Sequence, residues 1–205
     1  KDPDFPHSSS SLVFPRSDTD AQIPDVEGSR QPSRTSGDIA PRYSFSMDDV
    51  QWINLKQLLG EPHHWPGGRK SYLYSYERHA AEVREACRPG DVVQGSVGNC
   101  YFLSAVASTM SDNAVRADLI DESLEEAGIY GVSFFVRGRW RMVWVDAYFP
   151  CVLSSANPAE EVSGEQSTRW EPLYARSSNT REAWLMVVEK AFAKLHGCYE
   201  ALDGG

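Results

Sequence analysis

Apolar positions at helical spacing concentrate in two segments of this chain, and apolar–polar alternation marks a third. After Asn99, Leu103, Val106, Ala107 and Met110 recur on one face, which predicts a buried helix entered at residue 99. Gly95 and Gly98 before it supply the torsions and close approach of a tight turn, and Asn99 is a favourable N-cap. Near the end of the chain, Trp184, Val187, Val188, Ala191 and Leu195 predict a second helix, with Gly197 at the stop position. Between the two, Val132, Phe134 and Val136 alternate with Ser133 and Phe135. Ile129–Val136 and Arg139–Asp146 therefore read as two strands turned by Arg137-Gly138.

The remaining segments carry weaker patterns. Residues 48–59, with Trp52, Leu55, Leu58 and Leu59, predict a short helix or turn, broken by Pro62, Pro66, Gly67 and Gly68. Residues 71–86 start aromatic and polar and become helix-like; 118–126 predict a short helix or turn, and 151–170 a polar loop. Residues 1–14 read as an anchored N-terminal arm. Residues 15–42, rich in Ser, Asp, Arg, Pro and Gly, read as a flexible linker or insertion. This divides the chain into an arm and linker over 1–42 and an ordered domain over 43–205. Helices around a small antiparallel sheet place the domain in the α+β class.

Composition narrows the partners. The chain has 205 residues, enough for one good-sized core, and its 24% charged and 41% hydrophobic residues are ordinary for a globular protein. A net charge of -9 argues against nucleic acid and anionic membranes as main partners. No apolar run approaches the roughly 20 residues that span a bilayer, so membrane association is not indicated, and no signal-peptide pattern opens the chain. It starts with Lys1 rather than Met, which suggests a piece of a longer protein. Cysteines stand at 87, 100, 151 and 198, with no close pair, unlike a zinc ribbon or a disulfide framework. Reduced thiols in an intracellular, cytoplasmic protein are the expectation. His63-His64 lacks the paired cysteines a zinc site would need.

The candidate chemistry sits at the first helix. Cys100 falls in its first turn, where unpaired N–H groups and the helix dipole favour a thiolate, the nucleophilic form. Gln94, six residues upstream, carries a side-chain amide able to donate to a developing oxyanion. On position alone a cysteine here is as readily a small buried helix residue, and Gln94 a loop-bonding one. No Gly-x-Ser-x-Gly elbow is present for a serine hydrolase.

The segment Gln94-Gly95-Ser96-Val97-Gly98-Asn99-Cys100-Tyr101-Phe102-Leu103-Ser104 resembles the catalytic-cysteine segment of the calpain family, within the papain-like cysteine proteases. Trp184 to Leu202 is similar to a second calpain block. So are Gly138-Arg139-Trp140 with Val145-Asp146, and Asp2-Pro3-Asp4-Phe5-Pro6 leading to Ser11-Leu12. The blocks keep calpain order, although 16–42 and 151–170 match poorly. Calpains usually carry aspartate and tryptophan around the cysteine, where this chain has Asn99 and Tyr101.

The resemblance implies a papain-like half-domain. It would be the first protease-core subdomain of a calcium-dependent endopeptidase, with Cys100 as nucleophile and Gln94 in the oxyanion hole. It also implies Ca2+ bound by Asp91 and Glu182, with carbonyls of Arg84 and Ala86 completing the shell. The catalytic histidine and its orienting asparagine would lie in a second protease subdomain of the parent chain, so this piece alone is expected to be inactive. His196, in the last turn of the second helix, matches no catalytic position, and His7, His63, His64 and His79 are expected at the surface. Protein substrates are the implied partners. The alternative is a catalytically dead, calcium-binding regulatory or scaffolding module.

Overall fold

The computed structural model describes residues 2–12, 47–60, 89–110, 123–124, 127–155, 168–179 and 182–204. The longest helical pattern in the sequence becomes the centre of the molecule. Helix α4 (Trp184–His196) buries Trp184, Leu185, Met186, Val187, Val188 and Ala191, and with them Glu189 and Lys190. A helix apolar on one face needs one partner, whereas one buried nearly all round needs partners on several sides.

One partner is the expected hairpin. Strands β4 (Ile129–Val136) and β5 (Arg139–Asp146) pair antiparallel, from Val136 opposite Arg139 to Ile129 opposite Asp146. Arg137 and Gly138 both adopt positive φ, 51° and 80°, the torsions of a type I′ turn matched to strand twist. Tyr130, Val132, Val143 and Val145 point into the core. Phe135 and Trp140, at the far end, stay exposed and meet edge-on at 5.5 Å. The short strand β3 (Ser123–Leu124) pairs with β4. Residues 123–124 are thus extended rather than helical; the rest of the 118–126 prediction and all of 71–86 lie outside the described residues.

A second partner is helix α3 (Cys100–Thr109), whose Phe102, Leu103, Val106 and Met110 enter the same core. Phe102 stacks on Phe192 of α4 at 4.0 Å. Ala107, expected on this face, is only half-buried, and Phe102 takes its share.

A second sheet corrects two readings. Residues 48–59, predicted as a helix or turn, split into a 3-10 turn (Met47–Asp49), strand β1 (Gln51–Asn54) and helix α2 (Leu55–Leu59). Asn54 caps α2 by accepting from the Lys56 N–H at 3.0 Å. Residues 151–170, predicted as a loop, begin and end in strand. In full, β6 (Tyr148–Ser155) lies between β1 and β7 (Thr168–Pro172). Pairing along four positions of β1 and five of β7 supplies hydrogen bonds that local composition does not announce. A two-strand ladder joins β2 (Val92–Val93) to β8 (Arg176–Ser177).

The arm docks onto these layers. Phe5 is buried against Trp52 and Tyr199, and the Ser11 carbonyl at the short helix α1 (Ser9–Leu12) accepts from the Tyr199 N–H at 3.0 Å. Lys194 donates to both Asp2 carboxylate oxygens, at 2.8 and 2.7 Å. His7 is not a free surface residue: it stacks on Trp52 at 5.0 Å and its Nε2 lies 2.8 Å from Asp146 Oδ2. The linker and His63, His64 and His79 fall outside the described residues.

Candidate active site

The loop from Gln94 to Cys100 is shaped by contacts on both sides. A Cβ at Gly95 would run into the Tyr174 backbone, so only glycine fits. The Ser96 N–H donates to the Leu173 carbonyl at 3.0 Å, and Val97 is buried. Gly98 is held twice: its N–H donates to Asp203 Oδ1, and its carbonyl accepts from the Gly204 N–H, both at 3.1 Å. Gln94 closes the loop, its Nε2 donating to the Val97 carbonyl at 2.8 Å, which uses one of its two N–H bonds.

Helix α3 then starts at Cys100, whose residue is exposed; its first helical bond runs from the Leu103 N–H to the Asn99 carbonyl at 3.1 Å. The side chain expected to cap it does not do so. Asn99 occupies the N-cap position but is fully buried, and its Nδ2 donates to Glu189 Oε1 at 2.7 Å. The carboxylate anchors the amide through its nitrogen and so turns the side chain inward, and the capping oxygen Oδ1 is left buried without a partner among the described residues. Asn99 gives the helix start no side-chain cap, and among the described residues no other side chain takes its N–H groups, which favour an anion beside the thiol.

Glu189 is the site residue that sequence reading passed over. Its second oxygen accepts from the Ala175 N–H at 2.8 Å. Burial pushes its carboxyl up to about 7 in spite of those two donors. The available signal was a carboxylate inside the apolar run from Trp184 to Ala191.

Asp91 and Glu182, ninety-one positions apart in sequence, meet the same short segment. Asp91 Oδ1 accepts from Ser178 Oγ at 3.0 Å, and its carbonyl accepts from the Ser178 N–H at 2.8 Å. Glu182 accepts from Ser177 Oγ and Asn179 Nδ2, both at 2.7 Å, and from Trp184 Nε1 at 3.2 Å. Both carboxylates are hard oxygen donors, the type calcium takes, on a framework already ordered by hydrogen bonds. Arg84 and Ala86 lie outside the described residues, and among those described no three acidic, cysteine or histidine residues converge on one point. A cleft of about 680 Å³ opens beside Glu182, with Ser177, Ser178 and Asn179 on its wall.

The other candidates are engaged elsewhere. His196 is exposed, and its Nδ1 sits 2.9 Å from the Phe192 carbonyl one turn back. Cys151 and Cys198 are buried; burial pushes the Cys151 thiol up to about 12 and raises that of Cys198 as well. Cys87 lies outside the described residues.

Comparison with known proteins agrees with the resemblance read from the motifs. The profile of the calpain family of cysteine proteases matches residues 69–205. A calpain-type cysteine protease of Arabidopsis thaliana, DEK1, is 41% identical over 117 residues, covering 57% of this chain and 5% of the relative. The calpain-2 catalytic subunit of Mus musculus is 34% identical over 167 residues, covering 80% of this chain and 19% of the relative. Calpain-5 of Caenorhabditis elegans is 33% identical over 129 residues, covering 59% of this chain and 17% of the relative. The chain therefore spans a fifth or less of the length of these relatives.

Proposed function

This chain belongs to the calpain family of cysteine proteases, and from that premise we propose that it is the nucleophile-bearing half of a calcium-dependent endopeptidase. The observation that carries the reading is the exposed Cys100 thiol at the uncapped start of α3, on a loop closed by Gln94. The Cys100 sulfur would attack the scissile carbonyl carbon of a protein substrate, forming a C–S bond. The carbonyl oxygen becomes an oxyanion to which the second Gln94 N–H and the backbone N–H groups at the helix start can donate. Collapse breaks the C–N bond, the leaving amine takes a proton, and water hydrolyses the thioester.

That proton needs an acid. His7 and His196, the histidines among the described residues, hold Asp146 and the Phe192 carbonyl respectively. The histidine and its orienting asparagine are assigned to a second protease subdomain of the parent chain, and this chain alone is inactive. Calcium on Asp91 and Glu182, with the Arg84 and Ala86 carbonyls, would tie the loop before α3 to the start of α4. Free thiols at Cys100, Cys151 and Cys198 suit a reducing cytoplasm.

The test is a fluorogenic peptide assay with and without calcium on this chain, on a version extended through the next subdomain, and on Cys100→Ser in each. Calcium-dependent turnover is expected only from the extended wild type. A missing general acid costs several powers of ten, by analogy with triad knockouts. Turnover by residues 1–205 that depends on Cys100 would place the acid within this chain. An extended chain with histidine and asparagine present but no turnover would favour the regulatory or scaffolding module.

A further inference from the structure

The nucleophile loop has two walls, and one buried carboxylate touches both. The first wall is the Asn99 turn, whose Nδ2 donates to Glu189 Oε1 at 2.7 Å. The second is the segment 173–175, which accepts the Ser96 N–H through Leu173 and closes on Gly95 through Tyr174. Its Ala175 N–H donates to Glu189 Oε2 at 2.8 Å. Glu189 itself is 1% exposed and is carried by α4, which is buried along most of its length. Desolvating a carboxylate costs several kcal/mol unless it is compensated. Here the compensation is spent on fixing the backbone on each side of Cys100.

We propose that Glu189 is the positioning residue of the Cys100 nucleophile, its carboxylate fixing the Asn99 turn and the 173–175 wall so that the thiol faces the Gln94 loop. This rests on the reading of Cys100 as nucleophile. A second observation supports it. Asn99 Oδ1 is buried and has no hydrogen-bond partner among the described residues. Once the Glu189 carboxyl is protonated, a rotated Asn99 amide can accept from it through that oxygen. The clamp therefore has two proton-dependent forms, and burial brings the change between them to about 7. The other ionisable groups facing this interior are Tyr174, Tyr199, Cys151 and the Asp146–Lys190 pair. Burial raises Tyr199 well above 10 and Cys151 to about 12, while Asp146 is held at about 2, so these three do not change charge near neutrality.

The test measures iodoacetamide alkylation of Cys100 against pH in the intact 205-residue chain, read by peptide mass mapping. It uses wild type, Glu189→Gln, Asn99→Asp and the double swap. Wild type should show, besides the inflection of the thiol itself, a second inflection near 7 of about threefold in rate. Glu189→Gln should lose that inflection, with Cys151 and Cys198 unchanged. Asn99→Asp places two carboxyl groups face to face and should lower the melting temperature. Adding Glu189→Gln to it should restore that temperature, because the new amide accepts from Ala175 and donates to the new carboxylate. A Glu189→Gln profile identical to wild type overturns the positioning role. If the single variant does not fold, a double swap that also fails to recover folded, Cys100-selective labelling overturns it. Wild-type Cys100 labelling no faster than the buried thiols sinks the nucleophile reading instead.

Discussion

At the scale of single residues, burial decides which groups react and which titrate. Cys100 is exposed at a helix start, whereas Cys151 and Cys198 are buried with raised thiol pKa values. Iodoacetamide at mildly acidic pH should therefore modify Cys100 before either of them, and preferential labelling of another cysteine in folded protein would remove Cys100 as the nucleophile. Glu189 gives a prediction about stability. Burial raises its carboxyl from the ordinary range to about 7, so the folded state holds a proton that the unfolded chain releases at lower pH. The stability this provides is complete in acid and is lost as pH rises through about 7. Between about pH 5 and pH 8, Glu189→Gln should gain on wild type by on the order of 2 kcal/mol, measured by denaturant unfolding at each pH. A constant difference across that range would mean that Glu189 is ionised throughout. Asp146 works in the opposite direction and in another window. Burial alone would raise it, but the Lys190 ion pair and the hydrogen bonds from Tyr148 and Asp2 outweigh burial and bring it to about 2. Its stabilisation is present above the ordinary carboxylate value and lost as pH falls toward 2.

At the scale of elements, two glycines separate backbone torsion from close packing. Gly138 turns the β4–β5 hairpin at φ 80° with open space around it. Gly138→Ala should cost about 1 kcal/mol through strain alone and leave Cys100 labelling unchanged. Gly95 has no such torsion, but a Cβ there meets the Tyr174 backbone, which cannot swing away like a side chain. Gly95→Ala should cost about 2–3 kcal/mol and slow Cys100 labelling, because the loop must move off segment 173–175. Equal costs for the two, with unchanged labelling in both, would mean that the loop has slack. Helix α4 links these effects. It carries Glu189 toward the Asn99 turn, while Lys190 donates to Asp146 Oδ1 at 2.7 Å and to the Tyr148 carbonyl at 2.6 Å. Asp146 in turn holds His7 and the Asp2 N–H, so the arm is fastened to the same helix.

At the scale of the whole molecule, the prediction concerns calcium. Asp91 lies before β2 and Glu182 before α4, and Ser177 to Asn179 bridge them. An ion held by both carboxylates binds the folded chain and not the unfolded one, so it should raise the melting temperature by mass action. A shift of several degrees is expected in wild type at saturating calcium, and a much smaller one in Asp91→Ala. Equal shifts in the two proteins would remove Asp91 from the site.

The sequence by itself determined the elements whose information is local. The hairpin turn needed two residues at positive φ and had Arg137-Gly138. Helices α3 and α4 had apolar positions at helical spacing and, for α4, a glycine stop at Gly197. It also determined Cys100 as the first residue of a helix, since a glycine-bounded turn leading into an apolar face is a local pattern. What tertiary structure decided was every feature that depends on a distant partner. Strand β1 is extended because β6 pairs with it across nearly a hundred residues, not because of its own composition. Asn99 fails to cap α3 because a carboxylate ninety positions later accepts from its amide nitrogen and holds the side chain inward. His7 is drawn inward by Trp52 and Asp146. Hydrophobic spacing reports which face of a segment is apolar, but a hydrogen bond to a buried charge is set only when packing brings the two groups together, and no spacing within one segment records it.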